Sequence, residues 1–135
     1  MTWLECKNAI RDLGFEEDST MHDYQSIVIN AVNRAINIIY YTVVIANYQW
    51  FVTVLQDEPD EPNIITAQTN DSEVIALPNN VVQLVPLLAS YYVWLDDDTV
   101  KATVYKNEYE DYKDSLINTM LKPTLKWAKD KGVVL

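Results

Sequence analysis

Residues 77–113 read LPNNVVQLVPLLASYYVWLDDDTVKATVYKNEYEDYK, an apolar run joined through three aspartates to a charged, tyrosine-rich one. From Val81 to Leu95 the polar side chains are Gln83 and Ser90, so apolar residues cover most of a helical circumference. A helix of that kind must be covered on most sides. Because a chain of 135 residues offers limited protein for this, the stretch predicts that another copy of the molecule buries part of it.

The apolar half of this stretch predicts one helix, and the tyrosine-rich half predicts a second helix of about 25 residues with a seam spaced by three and four residues. Pro86 is placed where a kink or a short preliminary turn is expected. The tyrosine seam is the expected contact between the two helices. The side chains predicted to pack between copies lie on both of them: Leu84, Leu88, Tyr91, Trp94, Tyr105, Tyr109 and Tyr112.

The aspartates at 96–98 have two interpretations. As structure, an aspartate at a helix start accepts backbone N–H bonds, and its neighbours favour the positive end of the helix dipole. As function, adjacent carboxylates suggest a divalent-metal site. Three successive aspartates at a helix start point in different directions, and no further carboxylate-rich motif accompanies them. The sequence therefore favours a helix cap, at Asp96 and Asp97, and no metal.

The N-terminal half predicts two further helices. Thr2 and Glu5 have the spacing of a capping box, so a helix is expected over residues 3–13, with Gly14 as a left-handed stop. A longer amphipathic helix follows and is predicted to end between residues 41 and 47, where the composition turns β-branched and aromatic.

Residues 50–77 predict a small β insertion between the helical halves. Alternation over 50–56 and short runs at 63–68 and 73–77 favour strands. The sequence DEPDEPN at 57–63 places two prolines and four carboxylates in seven residues, which is typical of an exposed loop. The expected fold class is therefore mainly α with a small β-hairpin or meander insertion (α+β), in a bundle of four to five helices that forms oligomers.

The chain is acidic, with 20 acidic and 10 basic residues and a formal net charge of −10. This balance argues against gripping nucleic acid, because phosphate binding needs a basic patch. Two interpretations of the acidity stay open: a solvated surface that aids solubility, and a wall that repels DNA. Because a single domain is expected, residues 1–121 are assigned to it.

Residues 122–135 reverse the charge balance and are predicted to form a separate arm, because Lys122-Pro123 is expected to interrupt the preceding helix. The arm is either an ordinary solvated end or a docking segment for an acidic partner surface. Its candidate docking residues are Lys122, Lys126, Trp127, Lys129, Lys131, Val133, Val134 and Leu135.

Residue counts argue against an enzyme. Two glycines leave no glycine-rich phosphate loop, and a single histidine, His22, with a single cysteine, Cys6, leaves no Cys/His metal site. We therefore expect no enzyme activity and no cofactor. No run reaches the roughly 18 apolar residues of a membrane span, and the charged N-terminus does not resemble a secretory signal. Synthesis in the cytoplasm and no membrane partner are expected.

Three motifs stand out in the C-terminal half: LPNN at 77–80, LVPLLASYYVWLDDD at 84–98 and KA..Y.NEYE.YK at 101–113. Together they resemble the small head-tail connector proteins of long-tailed double-stranded DNA bacteriophages, also called head completion or adaptor proteins. The N-terminal half agrees more loosely, through INAVNRAINIIY at 29–40. The matching positions are Leu77, Pro78, Leu84, Val85, Pro86, Leu87, Ala89, Tyr91, Trp94, Leu95, Asp96, Asp97, Lys101, Ala102, Tyr105, Asn107, Glu108, Tyr109 and Glu110.

The resemblance implies a structural virion protein: a ring, usually of twelve copies, that binds beneath the portal and extends the DNA channel toward the tail. The implied partners are copies of itself, the portal protein, a further neck or tail protein, and DNA that passes without sequence-specific binding. The implied location is the virion neck, after synthesis in the host bacterial cytoplasm. In such rings the C-terminal segment commonly docks on the portal, and a loop reaches along the channel or to the tail side; the loop candidates here are Asp57, Glu58, Asp60 and Glu61.

An alternative function from a different class is a small acidic helical binding protein, such as an inhibitor or DNA mimic that occupies a basic partner. Both functions predict a stable, acidic, mostly helical domain. They differ in assembly, because a connector forms rings whereas a mimic stays monomeric or dimeric.

Overall fold

The chain folds as a bundle of helices. The computed structural model describes the backbone of residues 1–132 and the side chains of that range other than those of residues 18, 121–125 and 127. The helix predicted over residues 3–13 is confirmed, and its capping box is present, because Thr2 and Glu5 each accept a backbone N–H bond from the other. The elements are α1 (Trp3–Gly14), α2 (Asp18–Asp23), α3 (Gln25–Ile39), a π turn (Tyr40–Val44), a 3-10 turn (Ile45–Asn47), α4 (Tyr48–Thr53), α5 (Leu84–Trp94) and α6 (Thr99–Lys131).

The β insertion predicted for residues 50–77 is wrong. Residues 1–132 contain no strand, and a single isolated bridge pairs Thr2 with Val74. Residues 48–53 form α4, in which Phe51 is fully buried in the helical core. β-Branched residues have only a weak and context-dependent preference for strands, so the packing of Phe51 decides the local structure.

The long irregular segment between α4 and α5 is the region in which a sheet was expected. Hydrogen bonds from asparagine side chains hold its backbone in place of strand pairing. The Asn33 amide donates to the Ile65 carbonyl at 2.8 Å and accepts from the Ile65 N–H at 2.9 Å. The Asn63 amide accepts the Ala76 N–H at 3.4 Å and donates to the Glu73 carboxylate at 2.9 Å. Buried backbone groups need partners, and these amide side chains supply them without a neighbouring strand. Ile65 is thereby fixed in the core with 1% of its surface exposed.

The second long helix continues beyond the predicted end at residues 41–47. After α3 the backbone widens into the π turn, tightens into the 3-10 turn and resumes as α4, so residues 25–53 are helical throughout. Gln56, three residues after the end of α4, adopts a left-handed conformation with φ of 55°. The extension places Tyr41 to Thr53 along one helical run, and Leu55 follows it in the bend after α4.

Helix α5 is the centre of the bundle and packs against α1, α3 and α6. Its residues Leu84, Val85, Leu88 and Ala89 are fully buried within the single chain. Most of this helix is therefore covered within the chain, and burial of its remaining surface by another copy stays a prediction. Three helices of the same chain surround α5, because α6 is long enough to run its whole length and beyond.

Gly14 lies at a close contact between α1 and α5. It is helical and is followed by the extended residue Phe15, so the predicted left-handed stop is wrong. A side chain at this position would clash with the Trp94 indole, whose Cε2 would lie 2.9 Å from an added Cβ. The end of α1 is fastened by α6: Lys101 Nζ donates to the Gly14 carbonyl at 2.6 Å, and the Tyr105 hydroxyl donates to the Leu13 carbonyl. These donors satisfy carbonyl groups that a helix end leaves without partners.

Helix α6 differs from its prediction at both ends. Its cap is Asp98, whose carboxylate accepts the Lys101 N–H at 3.1 Å, so the caps predicted at Asp96 and Asp97 are wrong. Asp97 accepts instead from the Tyr24 hydroxyl at 3.1 Å. The predicted interruption at residues 122–123 is also wrong, because the helix continues to Lys131 and ends at the left-handed Gly132. A proline removes one hydrogen bond, and the remaining turns of a long helix tolerate this loss.

Replacing Asp98 by alanine is expected to lower the free energy of unfolding by about 1 kcal/mol, the usual cost of losing an N-cap side chain. Asp96→Ala is the matched control, since Asp96 is exposed and lies two residues before the cap, and we expect a change below about 0.5 kcal/mol. Urea denaturation followed by circular dichroism measures both. Equal losses for the two variants would contradict the assignment of the cap to Asp98.

A candidate assembly surface

The residues predicted to pack between copies are mostly buried inside the single chain. Leu84 and Leu88 have no exposed surface, and Tyr105 and Tyr109 are buried between α6 and its neighbours. Tyr91 and Trp94 are half-buried. Tyr112 is 49% exposed. Of these seven side chains, Leu84, Leu88 and Tyr109 therefore have almost no surface to offer another copy, and Tyr112 is the most accessible.

An exposed apolar surface lies elsewhere, on the helical run that includes α4. Six large apolar side chains over residues 41–55 are between 37% and 62% exposed. One of them is Val54; we call the other five the apolar stripe: Tyr41, Ile45, Tyr48, Val52 and Leu55. Successive members are separated by four, three, four and three residues. This is the spacing of side chains along one face of a helix that packs against another helix.

The opposite side of the same run faces the core. Val43, Val44 and Phe51 have no exposed surface. The wide π turn and the tight 3-10 turn follow one another, so their changes in winding partly cancel and the apolar stripe stays on the outer face. The run is therefore apolar on two sides. The rest of the chain covers the inner side, and the apolar stripe on the outer side stays exposed.

The apolar stripe has no charge within it. Residues 35–56 contain no Asp, Glu, Lys, Arg or His, in a chain of which 22% of residues are charged. Arg34 precedes this stretch, with its guanidinium 4.1 Å from the centre of the Tyr92 ring. Asp57 and Glu58 follow it. A charge-free surface is typical of the central part of a protein–protein interface, whose rim is polar.

The acidic loop at residues 57–61 borders the apolar stripe. The Tyr48 hydroxyl donates to Glu58 at 2.9 Å, and this hydrogen bond raises the pKa of Tyr48. The loop thus folds back toward the middle of the stripe. The four loop candidates for a channel or tail-side position are all exposed: Asp57, Glu58, Asp60 and Glu61. Their position relative to a channel stays a prediction.

The candidate docking residues lie at the end of α6 or beyond it. Lys126, Lys129 and Lys131 are exposed on its last turns. The side chains of Lys122 and Trp127 lie outside those that the structure describes, and so do residues 133–135, which include Val133, Val134 and Leu135. Basic side chains in the last turn of a helix are favoured by the helix dipole, so Lys129 and Lys131 have a structural role as well as a predicted docking role.

One helical span, Gln25–Thr53, is long and apolar enough to cross a membrane by length and composition. Of its most apolar window, 44% is buried inside the fold. A core helix of a soluble protein passes the same test. The span also carries Asn33, whose amide binds the Ile65 backbone, so this part of the chain has partners within its own bundle.

Reactive side chains are sparse in the part of the chain that the structure describes. Burial raises the pKa of the Cys6 thiol to about 12, so Cys6 stays protonated and unreactive near neutral pH. His22 is exposed. No group of three His, Cys, Asp or Glu side chains among the described residues is arranged to hold a metal ion.

Sequence reasoning missed the apolar stripe although its signal was present. The four-three spacing from Tyr41 to Leu55 and the absence of charge over residues 35–56 are both visible in the sequence. Assigning strands to residues 50–56 split the run and concealed the spacing. No protein-family model, curated protein or solved structure matches this chain.

Proposed function

We propose that the chain is a structural subunit of a bacteriophage head-tail connector, a ring of identical copies that binds the portal and extends the DNA channel toward the tail. The apolar stripe is the observation that carries this proposal. Five large apolar side chains on one exposed helical face are unfavourable in water, and packing against another protein surface removes them from it. In a ring of identical copies, such a surface would form the contact between adjacent copies.

A second copy of the chain fits the apolar stripe better than a membrane or DNA does. The stripe is bordered by Asp57, Glu58, Asp60 and Glu61, which repel both phosphate backbones and anionic lipid surfaces. Complete burial of a large apolar side chain contributes roughly 1.5–3 kcal/mol, and about half of that remains to be gained here because these side chains are already partly buried. Contacts of this kind between adjacent copies, repeated around a ring, sum to a stable closed assembly.

The net charge of −10 supports a conduit that lets DNA slide. A basic lining would bind phosphates and release counterions, which would hold the DNA in place. An acidic lining repels the duplex and leaves it mobile. The proposed role needs no catalysis, and the protein acts through its shape, its charge and its contacts with the portal.

The test is attachment to the portal protein encoded by the same phage genome. We expect the chain, mixed with portal at micromolar concentration, to form a ring on it that negative-stain imaging resolves and light scattering detects as added mass. A chain that leaves the mass of the portal unchanged would contradict the proposal. Binding as a monomer or dimer to an unrelated basic protein would favour the alternative, an acidic inhibitor or DNA mimic.

A further inference from the structure

A ring of identical copies needs two different contact surfaces on each chain. When one patch meets the same patch of another copy, the contact has two-fold symmetry and closes as a dimer. A head-to-tail contact between two different patches continues from copy to copy and closes as a ring. The apolar stripe is one of these surfaces in the proposed connector, and the charges beside it select the other.

The border of the apolar stripe carries a small acidic cleft. Asp57, Glu58 and Asp60 of the acidic loop line one side of a cleft of about 180 Å³, and the apolar residues 74–78 line the other. Small-molecule sites are larger, roughly 300–1,000 Å³. A single lysine side chain matches this lining, because its apolar stem favours an apolar wall while its charged head favours carboxylates. Among the described residues, no ion pair holds the carboxylates of the acidic loop.

The end of α6 is the part of the chain that offers lysines to such a cleft. Four other lysines bind groups of their own chain: Lys7, Lys101, Lys106 and Lys113. Lys126, Lys129 and Lys131 are exposed on α6, and we call them the basic end. No ion pair between side chains that the structure describes involves the basic end. Both the basic end and the acidic loop therefore keep their charges for another molecule.

The first half of α6 also has exposed apolar side chains, but its charge is wrong for the acidic loop. Val100, Val104 and Tyr112 are exposed there. The exposed charged side chains between Val104 and Tyr112 are Glu108 and Asp111. Docking this face on the stripe would bring like charges together, which disfavours a contact. The basic end brings opposite charges to the same place.

We infer that the apolar stripe of each copy packs against the end of α6 of the adjacent copy, with the basic end facing the acidic loop and one lysine in the cleft. In the proposed ring, on which this inference rests, the stripe and the end of α6 are thus the two sides of one head-to-tail contact. Opposite charges fix which surfaces meet and speed their encounter, whereas the apolar side chains supply most of the affinity. The sequence of this part of the chain also supplies apolar residues, Trp127 and Val133 to Leu135.

The test is a charge swap between the two surfaces of the full chain. Lys126→Glu with Lys129→Glu places carboxylates against the acidic loop. Asp57→Lys with Asp60→Lys places lysines against the basic end. Each double variant is expected to weaken the association between copies on the order of tenfold. The four changes together restore opposite charges and should return the association to within about threefold of the parent chain. Sedimentation velocity and light scattering measure association of the chain alone at high concentration and on the portal.

Asp111→Lys with Asp114→Lys is the matched control for the loop variant. Both carboxylates are exposed on α6 and neither lines the cleft. Combined with the changes at Lys126 and Lys129, the control gives the same net charge as the full swap, and we expect it not to restore association. Circular dichroism establishes that each variant keeps its helices.

Recovery by the full swap, without recovery by the control combination, supports the head-to-tail contact. The inference is overturned if both double variants associate like the parent chain, or if the control combination restores association as well as the full swap does. It is also overturned if the lysine variant loses attachment to the portal while its copies still associate. Rings on the portal from every variant would leave the connector function standing and remove this contact alone. A parent chain that associates neither alone nor on the portal would remove both.

Discussion

Replacing Ile45 by aspartate is expected to separate the copies of the assembly while each chain keeps its helical fold. Ile45 lies in the apolar stripe and is 41% exposed in the single chain, so a carboxylate there remains hydrated in the monomer. In the proposed contact between copies the same carboxylate would be taken out of water without a partner, which costs several kcal/mol. We expect the association to weaken about a hundredfold or more, since about 2.7 kcal/mol corresponds to that factor.

Ile64→Asp is the matched control for this variant. It introduces the same change at an isoleucine that is 77% exposed on the irregular segment between α4 and α5. Sedimentation velocity and light scattering of both variants, alone at high concentration and with portal, compare their assembly with that of the parent chain. Assembly of the Ile45 variant to the same extent as the control would rule out the apolar stripe as the contact between copies.

Replacing Gly14 by alanine is expected to destabilise the fold by about 2–3 kcal/mol, the usual cost of overpacking a core. The sign of this effect is informative. Glycine inside a helix normally costs roughly 0.5–1 kcal/mol relative to alanine, so propensity alone predicts stabilisation. The added methyl group would clash with the Trp94 indole, however, and would push α5 away from α1. Packing is the larger of the two effects, and the variant should be less stable.

The Gly14→Ala, Trp94→Phe double variant separates the two effects. Phenylalanine has a smaller ring and makes room for the methyl group, so the loss on adding alanine should be clearly smaller in this background. Urea denaturation of the four members of this cycle gives the coupling energy between the two positions. Additive effects, or a stabilised Gly14→Ala single variant, would show that the clash is absent.

Local signals in the sequence predicted the beginning of α1 and the position of α5. The capping box at Thr2 and Glu5 fixes the beginning of α1, because both of its hydrogen bonds are made between residues three apart. The apolar run from Val81 to Leu95 predicted α5, which spans Leu84–Trp94. Contacts of this kind depend on neighbouring residues and need no knowledge of the tertiary structure.

The remaining errors arose where distant residues decide the local structure. Residues 50–56 alternate like a strand, but Phe51 is buried in the helical core and keeps residues 50–53 in α4. Residues 63–68 lack a strand because Asn33, more than thirty positions away, satisfies the Ile65 backbone. Gly14 was expected to allow a left-handed turn, whereas its role is to admit Trp94 from α5.

The exposed apolar surface that the structure shows differs from the assembly surface expected from the sequence, and the reason is the same. The apolar surface of α5 was expected to be covered in part by a second copy, whereas α1, α3 and α6 of the same chain cover most of it. Once α1, α3 and α6 cover α5, the apolar stripe from Tyr41 to Leu55 becomes the main helical face without a partner among the described residues.

The most direct test of the proposed assembly surface is photo-cross-linking on the portal-bound chain, with p-benzoylphenylalanine in place of Tyr48. Tyr112, exposed on α6 and predicted from sequence to pack between copies, is the matched aromatic position. Irradiation should join copies into a ladder of multimers when the photoreactive group is at position 48 and should give little cross-linking at position 112. A ladder from position 112 with none from position 48 would contradict the assignment of the apolar stripe as the surface through which copies assemble.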